Sequence, residues 1–72
     1  MASIIGKGAL KAYSKIVKIH DPMPVACLPG LMKLPEKYRD NIIAVKDGKV
    51  LSRETLLKDD DEILVFISVM GG

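Results

Sequence analysis

Aromatic side chains are scarce in this sequence: it has no tryptophan, one phenylalanine and two tyrosines. Tyr13 and Tyr38 are too few for the row of platforms on which single-stranded nucleic acid stacks. The single cysteine, Cys27, excludes an internal disulfide framework and is compatible with a reducing compartment. Its neighbours Val25, Ala26 and Leu28 make it read as a small buried apolar side chain rather than a sulfur relay. The single histidine, His20, has no ligand partner visible in the sequence and reads as a surface or hydrogen-bonded residue. No apolar run approaches the roughly 18 residues of a membrane span, so no membrane association is expected. There is also no apolar stretch followed by a cleavage site, which argues against secretion. Acids are missing from the first 20 residues, where Lys7, Lys11, Lys15 and Lys18 precede Asp21. Such a start resembles a transit peptide in composition. Ile16-Val17-Lys18-Ile19 already reads as a strand, however, so the whole chain is expected to be mature and cytoplasmic.

With 72 residues the chain is expected to be one small domain. A domain of this size buries only about 60% of its unfolded surface. That leaves little room for an enclosed active site and favours a carrier or binding role over an enzyme. The net charge of +2 is too small to imply a nucleic-acid partner. Gly6-Lys7-Gly8 is too short for a phosphate-binding loop, and no nucleophile–base pair or metal-ligand cluster is visible. Asp59, Asp60 and Asp61 lack the alternating spacing of a calcium loop and are expected to form a solvated turn.

The apolar pattern predicts a mixed α+β roll. Ser3–Ile5 and Lys15–His20 read as strands, with Val17 and Ile19 on one face. Residues 24–34 read as the main helix, with Val25, Leu28, Leu31 and Met32 on one side. Pro29-Gly30 is expected to shorten or break it, ending it by Gly30, with a second turn over residues 35–39. Residues 41–45 form a strand, and Asp47-Gly48 signals a hairpin because both residues tolerate positive φ. Lys49–Leu51 is the return strand. Residues 52–57 suggest a helical turn capped by Ser52, with Leu56 and Leu57 tucked under the sheet. The last strand, residues 62–69, is apolar on both faces. One face, with Ile63 and Val65, joins Val17, Ile19, Ile43 and Val45 in the core. The other carries Leu64 and Phe66, with Met70 just beyond, and is open to two readings: a second internal cluster, or an exposed patch for a partner. The first and last strands are candidates for a central parallel pair.

Gly71-Gly72 follows this strand. From an average glycine usage near 7%, a terminal pair arises by chance in about 0.5% of chains, so a chemical reading is warranted beside that of a frayed end. Glycine lets the backbone and a carboxylate approach a nucleotide closely in a narrow site. A carboxylate becomes a useful electrophile only once activated, typically as an acyl-adenylate.

Three stretches carry a resemblance. Residues 43–53 present a hydrophobic strand, a turn, a return strand and Arg53. Residues 57–63 present the Leu-Lys-Asp-Asp-Asp-Glu-Ile turn, with Asp60 where a glycine is usual. Residues 65–72 present a final strand and diglycine. Together they resemble the ThiS/MoaD family of sulfur carrier proteins, which are ubiquitin-like β-grasp domains. The first 40 residues match that family in layout only. The resemblance implies a β-grasp domain over residues 1–68 and a flexible C-terminal tail over residues 69–72, monomeric when free. It further implies a carrier rather than an enzyme, with no bound cofactor. A partner adenylating enzyme would use ATP to activate Gly72. A cysteine desulfurase or rhodanese-type donor would supply sulfur, and a thiamine-, molybdopterin- or sulfur-amino-acid-type biosynthetic enzyme would accept it. In that cycle Gly72 carries the sulfur, Gly71 and Met70 enter the partner's active site, and Leu64 and Phe66 form the partner surface. Two alternatives use the same residues differently. One is a ubiquitin-like modifier joined to lysine through Gly72, the other a non-reactive β-grasp interaction domain.

Overall fold

The computed structural model describes residues 1–68, so expectations for Val69, Met70, Gly71 and Gly72, including how far the tail is ordered, lie outside the described residues. In chain order the elements are β1 (Ala2–Gly6), a 3-10 helix (Gly8–Tyr13), β2 (Lys15–Val17) and β3 (Met23–Pro24). A 3-10 turn (Val25–Cys27), α1 (Leu28–Met32) and α2 (Glu36–Arg39) follow. β4 (Ile42–Lys46), β5 (Lys49–Val50), β6 (Leu56–Leu57) and β7 (Glu62–Ile67) complete the order. The fold is α+β, with a mixed five-stranded sheet in the order β2-β1-β7-β4-β5 and a separate β3–β6 pair.

β7 takes the centre, flanked on its two edges by β1 and β4, and its sequence is apolar on both faces. It runs parallel to β1, pairing Ile4 with Ile63 and Ile5 with Leu64, and antiparallel to β4, pairing Ala44 with Val65 and Ile43 with Phe66. Directly paired residues share a face, so the ladders sort the side chains. Ala2, Ile4, Ala44, Ile63 and Val65 face the core, where Leu10, Ile19, Val25, Leu28, Met32, Leu34 and Leu57 cover them. Val17 and Ile67 pack against this cluster from its margin.

The expected core holds for Ile19, Ile63 and Val65, and Val17 contributes partly. It does not hold for Ile43 and Val45, which lie on the opposite face while Ala44, at 3% exposure, enters the core. Pairing with β7 sets Ala44 beside Val65 on the core face, with Ile42 packed at the margin of the same cluster, and leaves Ile43 and Val45 on the other face.

The main helix is segmented. The 3-10 turn is pinned through the Val25 N–H to the Thr55 carbonyl (2.9 Å) and the Ala26 N–H to the Arg53 carbonyl (3.1 Å). α1 then continues through Pro29-Gly30 to Met32, past the expected end. Pro29 lies in the first turn of α1, where its missing N–H costs no helical bond. Lys33 stops the helix in the left-handed region at φ 57°. Lys15 Nζ donates to the Leu31 carbonyl at 3.1 Å, tying the sheet edge to the helix end.

The capped helix expected over residues 52–57 is absent. Ser52 Oγ instead meets Thr55 Oγ1 at 2.9 Å in a turn, and Leu56–Leu57 pairs with Met23–Pro24 as β6. Leu57 is buried, but Leu56 is exposed rather than tucked under the sheet. The hairpin is as the sequence predicts: Asp47 and Gly48 both have positive φ, 52° and 77°, as a type I′ turn requires.

The acidic turn is not a solvated one throughout. Asp61 is 7% exposed. Its Oδ1 lies 2.6 Å from Lys46 Nζ, and its Oδ2 accepts the Lys58 N–H at 2.7 Å. Asp59 Oδ1 accepts the Ile19 N–H at 2.7 Å. These acids are fixed by local geometry, and Asp60 alone of the three is plainly exposed. Among the described residues, no helix is long and apolar enough to cross a membrane.

Candidate functional site

The face of the sheet turned away from the core is apolar. Ile5, Leu64 and Val45 stand side by side across β1, β7 and β4, and Val50 continues the row onto β5. One pair further along β7, Phe66 stands beside Ile43. Ile5, Leu64, Ile43 and Val45 are half-buried. Phe66 is 38% exposed, Val50 71% and Ile16, at the β2 margin, 70%. An antiparallel or mixed sheet with one solvated face normally shows polar residues there. Here the polar residues on that face are Ser3 and Glu62, both at the end of the sheet remote from Phe66.

Sequence reasoning named Leu64 and Phe66 as the partner surface, and the fold places both on this open face. Met70, Gly71 and Gly72 lie outside the described residues. Sequence reasoning missed Ile5, Ile43, Val45 and Val50 as members of the patch. The run Ile42-Ile43-Ala44-Val45 is apolar in both registers, so alternation alone could not assign its faces. The small residue at position 44 was the available signal.

Phe66 also borders a shallow groove shared with Lys7, Gly8, Ala9 and Ile67. The Lys7 N–H donates to the Val65 carbonyl at 2.9 Å, which holds the start of the 3-10 segment against the end of β7. Gly8 has φ 59°, and no atom lies within 4 Å of where its Cβ would stand. Among the described residues the groove lies at the end of β7 that precedes residues 69–72.

A second concavity lies along the outer edge of β4. It is a cleft of about 160 Å³ between the Val25–Pro29 segment and the β4–β5 edge, with Arg39 and Arg53 on its rim. Cys27 lines the adjoining depression with both arginines and is exposed, contrary to the buried position its neighbours predict. The cause is the 3-10 turn. Its tighter spacing turns Val25 and Leu28 inward and leaves Ala26 and Cys27 outside. His20 is exposed, as expected.

The titrating groups with displaced affinities lie at the acidic turn, away from the apolar face. The Lys46 ammonium, donating to Asp61, holds that carboxyl below the usual range, helped by the Lys58 N–H. The same bond raises the Lys46 ammonium above its ordinary value. The Ile19 N–H, chiefly, lowers Asp59. These shifts come from structural bonds and provide no general acid or base. Among the described residues no group of three or more His, Cys, Asp and Glu side chains is arranged to hold a metal ion. Compared with known proteins, the chain matches no protein-family model and no curated sequence.

Proposed function

We propose that this protein is a β-grasp sulfur carrier whose Gly72 carboxylate is adenylated and then thiocarboxylated by partner enzymes. The observation that carries the reading is the position of β7. The central strand bears the half-buried Leu64 and the exposed Phe66 on its open face, and only Ser68 separates it from Val69-Met70-Gly71-Gly72. A partner seated on this face would receive the diglycine within a few residues of the contact. The parallel β1–β7 pair at the middle of the sheet and the order β2-β1-β7-β4-β5 support the β-grasp assignment.

The chemistry falls to the partners. The Gly72 carboxylate oxygen attacks the α-phosphorus of ATP and pyrophosphate leaves, forming the acyl-adenylate. A hydrosulfide equivalent from the sulfur donor then attacks the acyl carbon, and AMP departs with the C–O bond. The resulting thiocarboxylate is a stronger nucleophile than the carboxylate and passes its sulfur to an activated carbon in the accepting enzyme. This chain contributes the seat and the terminus, and glycine at positions 71 and 72 keeps the approach to the nucleotide unobstructed.

Intact-protein mass spectrometry tests the reading. With ATP, the adenylating enzyme and a sulfur donor, the native protein should end at Gly72 and gain the mass of an oxygen-to-sulfur exchange there. Removing Gly72 retracts the carboxylate by about 3.3–3.6 Å. A misplacement of even about 1 Å can cost about a hundredfold in rate, so modification should almost cease while the fold persists. Cys27→Ser should leave it unchanged. Thiolation of the truncated protein, sulfur mapped to Cys27, or a native chain extending beyond Gly72 would reject the carrier mechanism. A lysine adduct through Gly72 would identify a protein modifier instead.

A further inference from the structure

β4 is covered along only part of its outer edge. β5 pairs with Val45 and Lys46, and the Leu51 N–H adds one bond to the Ala44 carbonyl at 2.8 Å. Backbone groups alternate in direction along a strand. The Ala44 carbonyl points to the β5 side, so the Ala44 N–H and both groups of Ile42 point the same way. Among the described residues these three groups have no backbone partner. They open into the cleft described above, whose walls include Val25, Pro29 and Leu51.

Two exposed arginines, Arg39 and Arg53, line the cleft along this edge. Arg39 Nε donates to the Leu34 carbonyl at 3.0 Å, which anchors the side chain and leaves its terminal nitrogens free of that bond. Arg53 is held at the other rim by the bond from the Ala26 N–H to its carbonyl. Among the described residues neither arginine is in an ion pair. Asp40 is the one acid lining the cleft, so the rim carries an excess of positive charge.

The geometry points to the open edge of β4 at Ile42–Ala44 as a strand-addition site for an extended acidic peptide segment of a partner, with Arg39 and Arg53 receiving its carboxylates. Main-chain bonds to Ile42 and Ala44 supply the pairing, the cleft accepts alternate side chains, and the arginines set the charge preference. The open stretch spans three residues, roughly 10 Å at strand spacing, so a short segment suffices. A second copy of this chain is a poor occupant. Its other free sheet edge, β2 over Lys15–Val17, brings further positive charge to the same rim. The site adjoins the apolar face, since Ile43 and Val50 also line the cleft, but it lies at the outer edge of β4, away from Leu64 and Phe66, and does not involve the diglycine chemistry.

The test is a nuclear magnetic resonance titration of the full isotopically labelled chain with the blocked peptide acetyl-Asp-Val-Val-Val-Asp-amide. The Ile42 and Ala44 amides should shift and show inter-strand contacts to the peptide. Arg39→Ala and Arg53→Ala should each weaken binding about tenfold, the loss expected for one charge-assisted hydrogen bond. A peptide with lysine in place of both aspartates, or one methylated on its central amide nitrogen, should bind much more weakly. Each of several results overturns the proposal: no binding at millimolar peptide, equal binding of the lysine peptide, or shifts centred on Leu64 and Phe66. The same holds if acetate alone reproduces the shifts, or if Ile42 and Ala44 pair with a second copy of the chain.

Discussion

Ile43 stands directly opposite Phe66 across the β4–β7 ladder, on the sheet face turned away from the core. Such a cross-strand pair stabilises a sheet by about 0.2–1 kcal/mol over alanines and remains available to a partner. Phe66→Ala should therefore cost well under the roughly 3–5 kcal/mol of a buried aromatic truncation. It should weaken binding to the activating or accepting enzyme by about 2 kcal/mol or more, as at an interface hot spot. Denaturant unfolding and calorimetric titration separate the two. Severe unfolding with unchanged partner affinity would place Phe66 in the core.

The assignment of faces along β4 is open to direct challenge. Ala44 faces Val65 in the core with almost no exposure, so Ala44→Leu should overpack it and cost about 1–3 kcal/mol. Its neighbour Ile43 lies outside, and Ile43→Thr should cost less than Ala44→Leu. If urea midpoints fall in the reverse order, the register is displaced by one residue.

Two glycines should respond to alanine in opposite directions. A Cβ on Gly6 would stand 2.0 Å from the Leu10 carbonyl oxygen and 2.6 Å from its carbon, both backbone atoms. The Gly6 N–H also donates to Ser14 Oγ at 2.9 Å, so the segment cannot simply retreat. Gly6→Ala should lower stability by about 1–3 kcal/mol or more. Gly30 lies within α1, with no atom within 4 Å of its Cβ position. There, alanine should raise stability by about 0.5–1 kcal/mol. Equal melting-temperature shifts for the two variants would contradict the packing around β1.

Acid should weaken the fold through Asp59 and Asp61. Both carboxyls are held below their ordinary range in the folded protein. Their stabilisation is therefore present above the unfolded value, about 3.9, and is lost as pH falls through the lower folded values. Lys46 is raised, so its contribution is present below the unfolded value, about 10.4, and fades as pH rises through the folded one. The Lys46–Asp61 bond is one interaction seen from both partners and counts once. Asp61→Asn should reduce stability at neutral pH and flatten the acid limb of the pH profile. Chemical denaturation from about pH 7 to about pH 2.5 would reveal it. A profile parallel to that of the unsubstituted protein would remove Asp61 from this role.

Much of the local structure is written in short-range chemistry. Asp47-Gly48 requires no tertiary context to turn, because both residues accept positive φ, and the hairpin forms there. Alternation in residues 62–67 places Ile63 and Val65 on the core side and Leu64 and Phe66 on the other. Tertiary structure decided what local patterns left degenerate. Residues 42–45 are apolar in either register, and pairing with β7 set Ala44 beside Val65 on the core face. Ser52–Leu57 carries a capping pattern, but pairing with Met23–Pro24 drew Leu56–Leu57 into a strand. Cys27 has apolar neighbours, yet a 3-10 turn pinned to Arg53 and Thr55 carries it to the surface. Asp61 sits in a run of acids that reads as solvated, and Lys46, 15 residues away, gives it a partner that offsets burial. In each case the deciding contact is distant in sequence, so periodicity and propensity, which act over a few residues, carry no record of it.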